Sequence, residues 1–230
     1  MMKAIVMQLV LALAFAAPGV IAQETAPDTL LKAVTTEVTD IIKRDRQLQA
    51  VSTARITDLV ESKILPLFDF TRMTQVALAR NWRLASPEQR ELLVAEFKML
   101  LVRTYASALS AYEDQVIEFK PLRLAAGDAF TTVRTDMKQP GNERLTMDYE
   151  MEKTPAGWKV YNIKVAGVSL VSTYRDSFTE IVRDRGVDGL IKSLADKNRQ
   201  SKERPQPHMS FREIAVLLIS AAQGIMPGGN

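Results

Sequence analysis

Residues Trp158–Asn198 read WKVYNIKVAGVSLVSTYRDSFTEIVRDRGVDGLIKSLADKN, and this stretch decides the fold. It begins as a strand, turns at Gly167, and continues through Val168-Ser169-Leu170-Val171 into an amphipathic helix. Tyr174, Phe178, Ile181 and Val182 follow the i, i+4, i+7, i+8 spacing of one helix face. Gly186 permits a change of direction, and Val187, Leu190, Ile191 and Leu194 form a second short stripe. A strand, a corner and a helix pair in this order would build one wall of a compartment.

Upstream, the period is that of a sheet. Val116 to Leu124 is strand-like, and Gly127-Asp128 turns the chain. In 129–138, Thr131, Val133, Thr135 and Met137 alternate with Phe130, Thr132, Arg134 and Asp136. Pro140-Gly141-Asn142 is a turn signal. Leu145, Met147, Tyr149 and Met151 then alternate with Thr146, Asp148 and Glu150, as in a half-buried antiparallel strand. Thr154-Pro155-Ala156-Gly157 leads back into Trp158. The expectation is a meander of about four strands.

Before the sheet the period is helical. Leu31, Val34, Val38, Ile41 and Ile42 share a face of a helix over 27–43, with Asp28 as its N-cap. A second helix is expected over 47–65, ended by Pro66, which also biases Leu65 away from helical geometry. A short helix follows Phe68-Asp69-Phe70. Ser86-Pro87-Glu88-Gln89 combines a cap, a proline suited to the first turn and a capping-box glutamine. It opens a helix expected to reach about Asp114, with Leu93, Phe97, Leu101, Tyr105, Ala108 and Tyr112 on its apolar face. Helices gathered on one face of a curved antiparallel sheet define an α+β fold.

Three segments are expected. Residues 1–22 read as a cleaved export signal: Lys3, an apolar run from Ile5 to Ala17, and Val20-Ile21-Ala22 before Gln23. That run of about 13 residues is shorter than the roughly 20 that span a bilayer. Residues 23–198 form the folded body. Residues 199–230 form a basic, Pro-containing linker and an apolar tail of unassigned role, either docked on the protein or free to meet an interface or partner.

Composition excludes several chemistries. The 230 residues include no cysteine, which removes disulfides, thiolate metal sites and cysteine nucleophiles together. The only histidine, His208, lies in the tail, so a triad or histidine metal site on the body has no imidazole. Thirty basic against 27 acidic residues give a net charge of +3, too small an excess to mark a nucleic-acid partner. No Gly-rich phosphate motif occurs. Asp148 and Glu150 could pair as acid and base, but they lie opposite the apolar face of their strand. No catalytic residue, metal or cofactor is assigned.

The body offers instead many large inward residues: Phe70, Met73, Trp82, Phe97, Leu101, Tyr105, Phe119, Val133, Met147, Tyr149, Trp158, Val165, Tyr174 and Phe178. An ordinary solid core is the plainer expectation for each of them, and periodicity does not distinguish it from a hollow one.

Several motifs resemble the MlaC (toluene-tolerance) family of periplasmic phospholipid-binding proteins. They are Phe68-Asp69-Phe70-Thr71-Arg72-Met73, Ala77-Leu78-Ala79-Arg80-Asn81-Trp82, Ser86-Pro87-Glu88-Gln89-Arg90, and Phe97-Lys98 with Leu100-Leu101-Val102-Arg103-Thr104-Tyr105. Trp158-Lys159-Val160-Tyr161, Gly167 to Arg175 with Phe178, and Gly186 to Ile191 with Leu194 complete the series. The resemblance runs from Pro27 to Asn198; the tail departs from it. It implies a cone-like fold around an apolar cavity, walled by the inward residues above together with Val168 and Leu170. It also implies a non-enzymatic periplasmic carrier, the auxiliary component of an ABC-type lipid transport system. Such a carrier would move glycerophospholipid between an outer-membrane lipoprotein–porin complex and an inner-membrane ABC complex, maintaining outer-membrane lipid asymmetry. A monomer with transient membrane proximity is expected. Ser169 and Arg175, beside the Gly167 corner, are candidates for a headgroup rim. The competing expectations are an exported enzyme of similar shape and an interaction module acting through the tail. A two-chain lipid carries about 30 methylenes, and at about 0.8 kcal/mol each their exposure costs more than about 20 kcal/mol. A carrier must therefore hide both chains, while headgroup contacts can be sparse.

Overall fold

A computed structural model describes residues 25–47, 52–106, 115–138, 144–203, 213 and 216. The expected export signal, the Pro140-Gly141-Asn142 turn, the stretch from Ala108 to Asp114, His208 and most of the tail lie outside these residues.

The fold is α+β. Among the described residues, five helices, α1 (Pro27–Gln47), α2 (Thr53–Leu59), α3 (Phe70–Leu78), α4 (Pro87–Tyr105) and α5 (Arg175–Glu203), accompany one antiparallel sheet. Its strands are β1 (Val116–Phe119), β2 (Phe130–Lys138), β3 (Leu145–Thr154), β4 (Gly157–Val165) and β5 (Val168–Ser169), paired in sequence order as an open meander.

Local chemistry sets most boundaries. α4 starts at a reciprocal capping box: Ser86 Oγ accepts from Gln89 N at 3.2 Å, and Gln89 Oε1 accepts from Ser86 N at 2.9 Å. Asp69 caps α3 by accepting from Arg72 N at 2.8 Å. β1 stops at Phe119, short of the expected Leu124, because Pro121 has no N–H to extend the ladder. α2 passes into a π turn over Val60–Ile64 and then a 3₁₀ turn over Leu65–Leu67, so the expected regular helix up to Pro66 loosens before the proline.

The corner at Gly167 differs from the expectation. Val168-Ser169 is the two-residue strand β5, paired with Lys164 and Val165, and Ser172–Tyr174 is a 3₁₀ turn before α5 begins at Arg175. The two-residue loop Ala166-Gly167 has φ of 48° and 83°, the doubly left-handed geometry of a type I′ hairpin. That geometry returns the chain along β4 for two residues before it enters a helix. At Gly186 the expected break is present: φ 71°, ψ −176° divides α5. The helix continues to Glu203, past the expected boundary at Asn198.

The free edge of β4 is covered from two sides. β5 pairs with one end, and at the other Phe68 bridges Val160 while Asp69 N donates to Val160 O at 2.9 Å. This covering removes an exposed template for strand addition. A bulge opposite Glu150/Met151 leaves Tyr161 unpaired in the ladder, and its ring meets Phe130 edge-on at 6.3 Å.

Apolar packing divides into a helical half, a sheet half and a smaller cluster in which α1 and α2 meet through Val38, Ile42, Ile56, Leu59 and Val60. In the first, α3, α4 and α5 close on Met73, Leu78, Leu93, Phe97, Phe178 and Leu190. The rings of Phe97, Tyr174 and Phe178 meet one another at 5.2–5.5 Å, well within aromatic contact. The second contains two clusters on the inner face of the sheet, one around Met137, Met147, Val165 and Leu170, the other around Leu31, Val133, Met151, Trp158 and Val160. Between the halves lies a void.

Candidate functional site

The void is a cavity of about 250 Å³. Leu31, Val34, Val38 and Ile42 of α1 form one wall. The loosened end of α2 supplies Val60 and Ile64, and Leu65, Leu67 and Phe68 follow. The C-terminal turns of α4 contribute Leu101, Val102, Tyr105 and Ala106, and the sheet supplies Ile117, Met137, Met147, Tyr149 and Ile163 as a floor. Its polar side chains are only Thr35, Thr39, Tyr105 and Tyr149; no charged residue lines it among the described residues.

The tyrosines keep this interior neutral. Tyr149 Oη donates to Met147 Sδ at 3.9 Å. Burial pushes the Tyr149 phenol above its ordinary range, and burial together with Tyr174 pushes Tyr105 far above it. Both stay protonated at any physiological pH.

The expected wall residues divide into two groups. Phe70, Met73, Leu101, Tyr105, Met147, Tyr149 and Leu170 are brought together around the cavity. Phe119 lies at an adjoining slot. The others are packed away from the void. Phe97, Tyr174 and Phe178 interlock in the helical half, and Trp82 sits under the Arg90 guanidinium at 5.2 Å beside the same cluster. Val133 and Trp158 fill the sheet cluster around Met151, and Val165 packs with Met137 and Leu170, flanked by Val168. The reason is that the helical half is closed by large rings, whereas α1 stands off the sheet.

Neither expected rim residue faces the cavity. Ser169 Oγ donates to Asn162 Oδ1 at 2.8 Å and accepts from Ser172 N at 3.0 Å, fixing the β5 corner. The Arg175 guanidinium donates to Val76 O at 3.1 Å and ties the start of α5 to α3. What the residue-by-residue reading missed is α1 as a cavity wall, although its apolar stripe was visible.

Asp148 and Glu150 lie on the outer face of the sheet, each beside a cation on a neighbouring strand. Asp148 stands 3.5 Å from Arg134 Nε, and Glu150 is 2.5 Å from Lys164 Nζ. Partial burial opposes ionisation of Glu150, but the hydrogen bonds from Lys164 and Asn162 outweigh it and hold the carboxyl below its usual range. These are ladder ion pairs across β2, β3 and β4. No group of three or more metal-ligating side chains occurs among the described residues, and no helix there is long and apolar enough to cross a membrane.

The chain is similar to the phospholipid-binding protein from Ralstonia solanacearum, solved in complex with a phospholipid: 38% identity, a TM-score of 0.69, and coverage of 76% of this chain and 98% of that one. It is 26% identical over 207 residues to the toluene tolerance protein ttg2D of Pseudomonas putida, covering 86% of this chain and 94% of that protein. It is 24% identical to the intermembrane phospholipid transport system binding protein MlaC of Haemophilus influenzae, covering 79% and 85%. The MlaC protein family matches residues 32–196, which contain both halves of the fold and nearly every cavity residue, and the chain belongs to that family.

Proposed function

We propose that this protein is a phospholipid carrier without catalytic activity, which takes the acyl chains of a glycerophospholipid into the cavity between α1 and the sheet. The observation that carries the reading is the cavity itself: a void of about 250 Å³ lined almost wholly by apolar side chains, with no charged one among the described residues. Apolar enclosure of this kind offers burial worth about 25 cal/mol per Å², and no charged side chain lines it among the described residues. The names of the relatives support the same ligand class.

The carrier works in the periplasm, exchanging lipid with an inner-membrane ABC complex and an outer-membrane lipoprotein–porin complex, and so contributes to outer-membrane lipid asymmetry. It acts as a monomer with the tail dispensable for ligand retention. Because a bilayer buries acyl chains as well as the protein does, transfer is nearly balanced and the direction is set by the partners.

Protein purified from a bacterial host without detergent is expected to yield phospholipid on extraction and mass spectrometry. A preparation that is reproducibly lipid-free, and that takes none up from vesicles, removes the proposal. Transfer between the complexes is tested by following labelled lipid from donor to acceptor proteoliposomes with and without the protein.

A further inference from the structure

α4 carries a second apolar row, on the side away from its core contacts. Leu92 is 52% and Met99 42% exposed, with exposed Ala95 between them. Half-buried Val102 and Ala106 carry the row to the end of the helix, where both also line the cavity. The spacings of 3, 4, 3 and 4 residues keep the row on one helix face. α5 runs beside this face and parallel to α4. Gln89 Nε2 donates to Asp188 Oδ1 at 2.6 Å, and further along the buried Asn198 donates through Nδ2 to Glu96 O at 2.9 Å while its own carbonyl accepts from Arg103. α5 therefore ends, at Glu203, about 8 Å past Asn198 and level with the last turn of α4.

The chain that leaves α5 at that point carries a matching row. Phe211, Ala215, Leu218, Ala222 and Ile225 have spacings of 4, 3, 4 and 3, the α4 row read in the opposite direction. Glu213 and Val216 are helical, and both are exposed. On a helix of 3.6 residues per turn they lie opposite the apolar row, on the side of Ser220 and Gln223. We propose that the face of α4 over 92–106 is the seat of the chain's own residues 211–225, laid antiparallel to it. Phe211 then meets Ala106, Leu218 meets Met99, Ala222 meets Ala95 and Ile225 meets Leu92. The seven residues 204–210 reach at most about 25 Å, more than the roughly 8–10 Å between the axes of packed helices. A membrane surface is the poorer occupant, because Arg212 is the only basic residue after His208 and interfacial helices carry Lys and Arg along their polar face. Seated on α4, the segment buries both rows and backs, from outside, the turn that bounds the cavity. The assignment does not depend on what the cavity holds.

The chain has no cysteine, so an introduced pair reports without background. In the full chain, Met99→Cys/Leu218→Cys should close an intramolecular disulfide under mild oxidation, because facing positions of two packed helices come within disulfide reach. The linked peptide is read by mass spectrometry, and its rate of formation should not depend on protein concentration. Met99→Cys/Val216→Cys, with the second thiol on the exposed side, should link at least about tenfold more slowly. Met99 is exposed, so the body folds without its side chain. Equal rates for the two pairs, or no link in either, overturn the seat. A link that forms only between chains gives the face to a second copy and also overturns it. The full chain should stay unbound in flotation with vesicles of phosphatidylglycerol and phosphatidylcholine; binding that Leu218→Asp abolishes would give the row to a lipid surface and overturn the proposal.

Discussion

Tyr105 and Tyr149 are the two phenols at the cavity among the described residues, and both remain protonated because burial disfavours phenolate. None of the described lining residues changes charge near neutrality, so retained lipid should be constant between pH 5 and 8; a step in a retention-versus-pH series would reveal an ionising group at the ligand. Ala106, at the end of α4, faces the void. Ala106→Trp should fill it and reduce extractable lipid several-fold with the thermal midpoint preserved. Val133 is fully buried in solid packing, so Val133→Trp should instead overpack the sheet and cost about 1–3 kcal/mol, read by denaturant unfolding. The same contrast explains which residues were legible. Met147 and Val165 obey one period-2 rule and Phe97 and Tyr105 one helical stripe, and the rule places all four inward. Whether an inward side chain meets another side chain or a void depends on the distance to the opposite element, which periodicity does not encode. Phe97 meets two rings; Tyr105, two turns later, is where α4 passes the cavity.

At the scale of elements, the outer face of the sheet is held by charges that alternate across strands. Asp136, nearly buried, accepts Lys120 Nζ at 2.5 Å, Arg144 Nη1 at 3.1 Å and Thr146 Oγ1 at 3.2 Å. The hydrogen bond from Lys120 leads in holding its carboxyl below the usual range, against the opposing effect of burial. A depressed folded-state pKa contributes stability that is complete above the unfolded value near 3.9 and is lost as pH falls through the folded one. Asp136→Asn should therefore cost about 1–3 kcal/mol at pH 7 and progressively less below pH 4, a narrowing visible in paired denaturation curves. Gly186 joins the two parts of α5 at φ 71°, with nothing within 4 Å of where a Cβ would stand. Gly186→Ala should then cost only backbone strain, about 1–3 kcal/mol, without altered lipid retention. Both the capping box and the Gly186 break were visible in the sequence, because each is local chemistry. β5 was not: Val168-Ser169 has no alternation long enough to register, and its pairing is dictated by the positive φ of Ala166, which no residue type announces.

For the molecule as a whole, a void between two packed halves makes a bound ligand part of the core. The cavity of about 250 Å³ falls below the roughly 300–1,000 Å³ of pockets for drug-sized ligands, so two acyl chains require α1 to stand further from the sheet. A ligand that binds only the folded state stabilises it by mass action. Loading delipidated protein should raise its thermal midpoint and slow amide exchange in α1 and around Val60–Ile64, with α4 and α5 changing least. Equal midpoints for loaded and delipidated protein would contradict a ligand that completes the core.

The position of α1 in the wall also has a consequence for how the chain acquires its structure. β2, β3 and β4 are joined to their neighbours by short connections, so the sheet assembles from contacts close in sequence. α1 must wait: Leu31 packs against Val160 and Trp158, more than 120 residues downstream. Loop closure over such a separation is slow relative to hairpin formation. The sheet is therefore expected to form before α1 closes over it. Burial of Trp158 should lag behind the appearance of strand signal in stopped-flow refolding. For that interval the uncovered sheet is a greasy surface facing water, and a lipid present then would act as a template on which the container closes.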